Sequence, residues 1–408
     1  MNFTVIGEEE FIKFSHNHPL ITFMQTTNIG KLREKNGWHV EYVGLKHQNK
    51  LIAATMLLSK KRHFNKYEFY AIRGPLLDYH NEEILTYFME ELKKYVKEHN
   101  GYVLRIDPYL MYKERDGSGN LVPNGINNEF VVQNLLKLGF HKLKKEKEEQ
   151  VSWMYVLDIE GKNEEEIFKN FTSSTRNNIR KTLKNGIEIK ELSRDELDQF
   201  YNIMLETGKR KEFDVRDLDY YQRMYDAFHD SNEIKFLVTS LNLSKHIELL
   251  EEEKRENQTK LDNLSSAKYN EGKRKNILND INSLEKRINK VKKIKEQDGE
   301  KITLSGSMFV MTQPEVVYLS SGNYSKYMMF NSQYLIQWEM IKYAIEHGYK
   351  RYNFYGIPDN FDKNDKDYGI YAFKTGFNGC VEQLIGEYVL PTSIFYYVIE
   401  MIHKIRSK

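Results

Sequence analysis

A single cysteine, Cys380, stands in a chain of 408 residues. One thiol excludes an intrachain disulfide and a Cys-based zinc site, and it suits a reducing cytoplasm. Neither sign of charge dominates. The 61 Lys and Arg nearly cancel the 59 Asp and Glu, for a formal net charge of +2. That balance excludes a histone-like or wholly disordered chain. No run approaches the roughly 18 uncharged apolar residues that a membrane span needs. The N-terminus, Met1-Asn2-Phe3-Thr4-Val5-Ile6-Gly7-Glu8-Glu9-Glu10, is acidic and lacks the basic-then-apolar order of a signal peptide. Also missing are a G-x-x-x-x-G-K-[ST] loop, a dinucleotide fingerprint, an H-E-x-x-H helix and a G-x-S-x-G elbow. The 12 histidines are scattered, without convincing ligand spacing. The expectation is a chain with no metal and no nucleotide cofactor.

What is present is enough apolar and aromatic material, 40% and 13%, to build real cores. The length exceeds what one core normally holds, so two domains are expected. Residues 1–150 read as mixed α/β. Leu51 to Leu58 is a buried strand, Tyr67 to Ile72 a strand stopped by Gly74-Pro75, and Glu82 to His99 an amphipathic helix. Tyr102 to Ile106 is a short strand ended by Asp107-Pro108. A second α/β pattern starts with the strand Trp153 to Leu157. It continues with helices over Glu164 to Lys184, Asp195 to Gly208 and Asp219 to Phe228, and with a strand at Ile234 to Val238. After an interruption it resumes with strands at Met308 to Met311, Val316 to Leu319 and Tyr352 to Gly356, around a helix from Tyr334 to His347.

The interruption, 243–299, is the plainest local signal. From Ser244 to Glu300 there is no proline and, apart from Tyr269, no aromatic residue. Ile277, Ile281, Leu284, Ile288 and Val291 step by coiled-coil intervals, and Ile247, Leu250, Leu261 and Leu264 form a weaker seam. Ser265 to Gly272 between them reads as a turn. The pattern predicts an antiparallel helical hairpin inserted between two strands of the second domain. From Lys268 to Lys295 its second limb carries Lys268, Lys273, Arg274, Lys275, Lys286, Arg287, Lys290, Lys292, Lys293 and Lys295 against Glu271, Asp280 and Glu285. An arm exposed on most sides must be charged in any case. The functional reading is contact with a phosphate backbone, with RNA preferred.

A set of local signatures runs along the chain: Phe23-Met24-Gln25-Thr26 with Arg33 after it, Arg73-Gly74-Pro75-Leu76-Leu77-Asp78-Tyr79, Ile106-Asp107-Pro108-Tyr109, Arg176-Asn177-Asn178-Ile179-Arg180-Lys181, and Thr207 to Arg216. After the arm come Tyr318-Leu319-Ser320-Ser321-Gly322, Gln337-Trp338-Glu339-Met340-Ile341, Tyr352-Asn353-Phe354-Tyr355-Gly356-Ile357 and Tyr368-Gly369-Ile370-Tyr371-Ala372-Phe373-Lys374. In this order the set resembles the Fem family of non-ribosomal peptidyltransferases, most of all its FemA-like and MurN-like members. The resemblance implies two acetyltransferase-like (GNAT-like) α/β subdomains. The first spans 1–150; the second spans 151–242 and 300–390, with the coiled-coil arm 243–299 inserted; the C-terminal helix 391–408 packs back on the first. It implies an enzyme that takes Gly, Ala or Ser from aminoacyl-tRNA to an amine of a peptidoglycan precursor, lipid II, and so builds the interpeptide cross-bridge. An aminoacyl ester is already activated, so direct attack by the amine needs no covalent enzyme intermediate.

What the resemblance implies for single residues can be set beside their blander readings. Lys374, with the substrate-binding position Phe373 before it and a glycine-containing turn at Tyr368-Gly369, falls near the acceptor end of the tRNA. There it would stabilise an oxyanion or hold a phosphate; otherwise it is one surface lysine among many. Asp107 would orient or deprotonate the incoming amine, or else is an Asp-Pro turn residue. Arg210 and Arg216 suit the precursor's pyrophosphate, or pair with Glu212, Asp214 or Asp217. Arg33 stands where the family commonly has lysine, with a phosphate role. Thr207 and Tyr318 would add hydrogen bonds to the precursor. Lys286, Arg287, Lys290, Lys292 and Lys293 would bind tRNA. Cys380 and Trp338 read as packing residues.

The apolar stretch Ile394 to Ile399 and the basic end after it would pack on the first subdomain and touch the anionic inner leaflet. The chain is thus expected in the cytoplasm, peripheral at the inner face of the plasma membrane, as a homodimer or with related Fem proteins. Three alternatives stay open: a non-enzymatic tRNA- or RNA-binding protein, an N-acyltransferase with another acyl donor, and an immunity-type relative that alters bridges. Against acetyl-CoA stands the lack of a Gln/Arg-x-x-Gly-x-Gly/Ala loop.

Overall fold

The computed structural model describes every residue except His63, Ser266, Ala267, Ser407 and Lys408. Two residues of the expected arm turn, Ser266 and Ala267, and the last two of the C-terminal segment therefore lie outside the described residues. The chain forms two mixed sheets. The seven-stranded first sheet runs in the order Asn2–Val5, His39–His47, Lys50–Lys61, Tyr67–Ala71, Gly101–Ile106, Tyr388–Pro391, His141–Lys142. The eight-stranded second sheet runs Met111–Glu114, Cys380–Leu384, Trp153–Asp158, Arg351–Gly356, Glu315–Asn323, Lys301–Thr312, Ile234–Asn242, Ile187–Glu191. Each is antiparallel except for one internal parallel pair, Tyr67–Ala71 beside Gly101–Ile106 and Glu315–Asn323 beside Arg351–Gly356.

A parallel pair needs a crossover long enough to return the chain, and a helix supplies it in both sheets. In the first it is Glu82–Glu98. The Asn81 side chain accepts from the Ile84 N–H, two glutamates fill the first turn, and Leu85, Phe88, Met89, Leu92 and Val96 form the buried face. In the second it is Ser332–Glu346, with Trp338 buried as expected of a packing residue. Two expectations need correction. The single helix over Glu164 to Lys184 is two, Glu164–Asn170 and Ser173–Lys184. Thr172 is extended, its N–H goes to the Gly376 carbonyl, and its side chain caps the second helix, so the first cannot run through. The turn at Tyr368-Gly369 is the start of a helix, Tyr368–Thr375. The turns are taken just upstream, where Asn360, Asp362 and Asp365 bond backbone N–H groups two residues on.

Four connections pass between the sheets, and two of them run side by side. The chain leaves the first sheet at Ile106 and enters the second at Met111; it leaves the second at Leu384 and re-enters the first at Tyr388. The Ile385 N–H donates to the Leu110 carbonyl between them at 3.0 Å. Residue 150 is therefore not a boundary between sheets, because Met111–Glu114 already belongs to the second. Asp107 and Tyr109 lie on the first crossing.

The arm grows out of a β-ladder. Ile234–Asn242 and Lys301–Thr312 pair as neighbours down to Asn242 opposite Lys301, and the helices Leu243–Asp262 and Glu271–Asp298 stand between them. Ile281, Leu284, Ile288, Val291 and Ile294 are buried along one limb and Leu243, Ile247, Leu250 and Leu261 along the other, while Ile277 nearer the tip is half-buried. Lys254 and Lys292 bridge the limbs to Glu285 and Glu251 at 2.6 and 3.1 Å. The C-terminal helix Phe395–Arg406 packs Ile399, Phe395 and Tyr396 on Tyr102, Val103 and Val389 of the first sheet.

Candidate active site at the seam between the sheets

Asp107 follows the strand Gly101–Ile106 and turns under the end of its parallel neighbour. Its Oδ1 accepts from the backbone N–H of Arg73 at 2.7 Å, and its Oδ2 lies 3.5 Å from the Arg73 guanidinium. Both side chains are almost wholly buried, at 2% and 5% exposure. Burial pushes the Asp107 carboxyl up to about 7, against the opposing pull of Arg73. Arg73 also donates to the Val151 carbonyl at 2.7 Å and stacks over the Tyr109 ring. The backbone is held tight here: a Cβ on Gly74 would sit 2.7 Å from Thr55 Oγ1 and 2.8 Å from Gln25 Nε2. Gln25, fully buried, accepts from the Met56 N–H at 2.9 Å and so ties Phe23-Met24-Gln25 to the strand ends.

From the second sheet, Glu315, Arg351 and Asn353 face this corner. Glu315 accepts from the Tyr109 hydroxyl at 3.0 Å and from Asn353 Nδ2 at 3.2 Å, and pairs with Arg351 at 3.3 Å; Arg351 also donates to Glu382 at 2.7 Å. Burial raises the Glu315 carboxyl. Arg73, Tyr109, Glu315, Asn353 and Tyr355 enclose a chamber of about 10 Å³, room for a single water-sized group. The chamber adjoins a cleft of about 700 Å³ through Phe23, Met24 and Tyr355, which line both.

Arg33, Arg216, Tyr220 and Arg223 line the cleft, with Glu149 and Asp217 also in its lining. Arg223 pairs with Asp219, whereas neither Arg33 nor Arg216 is in an ion pair among the described residues. Arg216 lies over the Tyr220 ring at 5.5 Å, and Tyr220 feels both guanidiniums. Two unpaired arginines around a phenol form a ready anion site.

Lys374 is buried at 6% exposure on the helix Tyr368–Thr375. Its ammonium donates to the Gly356 carbonyl at 2.6 Å and to the Tyr355 carbonyl at 3.3 Å, and burial pulls it down to about 7. Neither Lys374 nor Asp107 lines the cleft or the chamber. Each reaches it through a residue that does, Tyr355 or Arg73.

A profile described as "FemAB family" matches residues 6–404. This chain belongs to the FemAB family. Aminoacyltransferase FemA of Staphylococcus aureus, strain bovine RF122 / ET3-1, is 32% identical over 403 residues, which cover 96% of this chain and 95% of that protein. FemA of strain N315 is 31% identical over the same span. The crystal structure of FemX superposes with a TM-score of 0.75 at 25% identity, covering 98% of this chain and 100% of that one.

In this FemAB protein, then, Arg33 and Arg216 meet in one cleft, and Asp107 and Lys374 converge on its inner end. The other sequence candidates lie elsewhere. Thr207 is buried, donating to Ile203 O at 2.9 Å and accepting from the Asn323 N–H at 3.1 Å. Tyr318 is buried against Phe309, its hydroxyl directed at Ser321 and Gln333. Phe373 packs on Tyr334 and Phe377. Arg210 is exposed beside Met328, outside the cleft lining. Lys286, Arg287, Lys290, Lys292 and Lys293 are all exposed on the arm. Sequence reasoning missed Tyr220, Glu315 and Tyr355 as site residues. Tyr355 lies within the segment Tyr352 to Ile357, but only its left-handed backbone and its neighbours single it out.

Proposed function

We propose that this protein is an aminoacyltransferase that moves a small amino acid from aminoacyl-tRNA to an amine of a lipid-linked peptidoglycan precursor, building the interpeptide bridge. The observation that carries the reading is the cleft, with an anion site at Arg33, Arg216 and Tyr220 and with Tyr355 leading from it to Arg73 in the adjoining chamber. The arginines hold a phosphate of the precursor. The amine attacks the ester carbonyl, and the ribose oxygen leaves. The protein supplies alignment, a place for charge that develops on oxygen, and an acid–base group near neutrality in Asp107. Incubation with lipid II and a panel of charged tRNAs, read by product mass, tests the reading; no mass gain with any donor would sink it.

The arm is the tRNA contact in this reading. Replacing Lys286, Arg287, Lys290, Lys292 and Lys293 with Gln is expected to weaken tRNA binding and flatten its dependence on salt. Unchanged affinity and salt slope would make the arm a protein-interaction device.

The protein also rests on an anionic bilayer, where its precursor is anchored. No helix among the described residues is long and apolar enough to cross a membrane. The C-terminal helix instead turns Tyr397, Met401 and Ile405 outward beside Ile394, with Ile405 67% exposed. Phe64, 87% exposed, meets Phe395 edge-on, just past a strand that ends in Lys60 and Lys61 with Arg62 next. An apolar face rimmed by cations fits the headgroup boundary. Met401→Glu with Ile405→Glu should abolish sedimentation with phosphatidylglycerol vesicles. Retained sedimentation, or loss only of self-association, would overturn the contact.

A further inference from the structure

Two bulky residues facing each other across the seam hold left-handed backbones, Arg73 at φ 49° and Tyr355 at φ 63°. Each sits at the end of a strand of a parallel pair, Tyr67–Ala71 in one sheet and Arg351–Gly356 in the other. That conformation is uncommon for any residue but glycine and is an outlier for an aromatic one. It persists where the surroundings over-determine it, and such residues gather at ligand-handling sites. Both are clamped. Arg73 is fixed through its N–H to Asp107 and its guanidinium to Val151 O. The Tyr355 N–H donates to Asn353 Oδ1 at 2.7 Å, and its carbonyl accepts from Lys374 Nζ.

The clamp on Tyr355 uses a buried lysine, a costly group to spend on two carbonyls. Its effect is to set the Tyr355 phenol where the chamber opens into the cleft, beside the Arg73 guanidinium. Of the three residues lining both cavities, Phe23 and Met24 are apolar, and Tyr355 alone brings a proton donor. Burial raises the phenol above its ordinary value, so it keeps its proton near neutrality.

We propose that Tyr355 is a catalytic residue: its hydroxyl, backed by Arg73, donates to the oxygen that becomes negative as the acceptor amine adds to the donor ester, while Lys374 acts only by holding the backbone carbonyls of Tyr355 and Gly356. The proposal rests on the transferase reading. In the step, the amine lone pair forms the new C–N bond and the carbonyl pair moves to oxygen. That pair returns as the bond to the ribose oxygen breaks, and the amine proton ends on the released ribose hydroxyl. Tyr355 keeps its own proton throughout. Lys374 is then a positioning residue, and its effect and that of Tyr355 are one effect.

The test uses the full chain with a fixed aminoacyl-tRNA and varied lipid-linked precursor. Tyr355→Phe keeps the ring and is expected to lower kcat by roughly 10²–10³-fold with little change in KM. The double variant Tyr355→Phe/Lys374→Met is expected to be no slower than the slower single variant. Difluorotyrosine at position 355, a more acidic phenol, is expected to move the high-pH limb of the rate profile to lower pH. An active wild type with an equally active Tyr355→Phe variant, single effects that multiply in the double variant, or an unmoved limb would overturn this role alone. A wild type inactive with every donor would overturn the transferase reading and this role with it.

Discussion

Replacing Lys374 with Ala is expected to lower turnover by about 10²–10³-fold, the usual cost of losing one stabiliser of charge on oxygen, and to leave precursor affinity nearly intact. The lysine is buried, and its ammonium is committed to the Gly356 and Tyr355 carbonyls. Truncation frees the Tyr355 backbone from its strained torsion and opens a void, so Lys374→Met, which fills the space, separates the two effects. The Met variant is expected to melt near the wild-type temperature yet turn over as slowly as the Ala variant. Stability carries a sign of its own. Burial lowers this lysine from 10.5 to about 7. As pH falls from above 10 toward 7, the unfolded chain takes up a proton that the folded one refuses, so the wild type loses stability over that window and the Met variant does not. Melting curves at pH 7 and pH 10 measure the difference. A Lys374→Met enzyme with normal turnover would remove the lysine from the mechanism.

Asp107→Asn is expected to cost roughly 10²-fold in turnover, within the range for loss of an acid–base group, and to change the shape of the pH profile. With the carboxyl near 7, the Arg73–Asp107 pair is complete above neutrality and broken below it. The wild-type rate should therefore rise through about pH 7. The Asn variant should lack that limb and gain rate only at higher pH, as the acceptor amine loses its own proton. For stability, the raised carboxyl favours the folded state fully below its unfolded value of 3.8, and the advantage is lost as pH rises through about 7. The melting temperature of the Asn variant relative to wild type should accordingly improve between pH 5 and pH 9. A profile identical to wild type would show that Asp107 does not titrate in the working cycle.

Periodicity made the elements legible where a face is buried. Leu85, Phe88 and Leu92 marked their helix and the Ile281-Leu284-Ile288 seam marked the arm, because both patterns follow directly from the helical repeat. What periodicity does not encode is pairing between distant segments. Nothing in Met111–Glu114 announces that it joins the second sheet or that Tyr388–Pro391 completes the first. The site suffers from the same gap. Asp107 and Lys374 come forward through the segments around them, yet Tyr355, Glu315 and Tyr220 become site residues only when the crossings bring strands from both halves together. Tyr318 and Thr207 show the converse. Their polar groups look available in sequence, but the fold turns them inward to partners of its own.

The arm leaves and returns through adjacent, hydrogen-bonded strands, with Asn242 directly opposite Lys301. Its two ends are thus no farther apart than the ends of an ordinary hairpin turn, and a few residues would close the gap. Excising 243–300 would leave the ladder intact, and adding turns to both limbs would lengthen the arm without a new connection. Its longer helix has 28 residues, a reach of about 42 Å at the helical rise. Selection can therefore lengthen, recharge or discard the arm as a detachable module, while the chemistry at the crossings stays untouched.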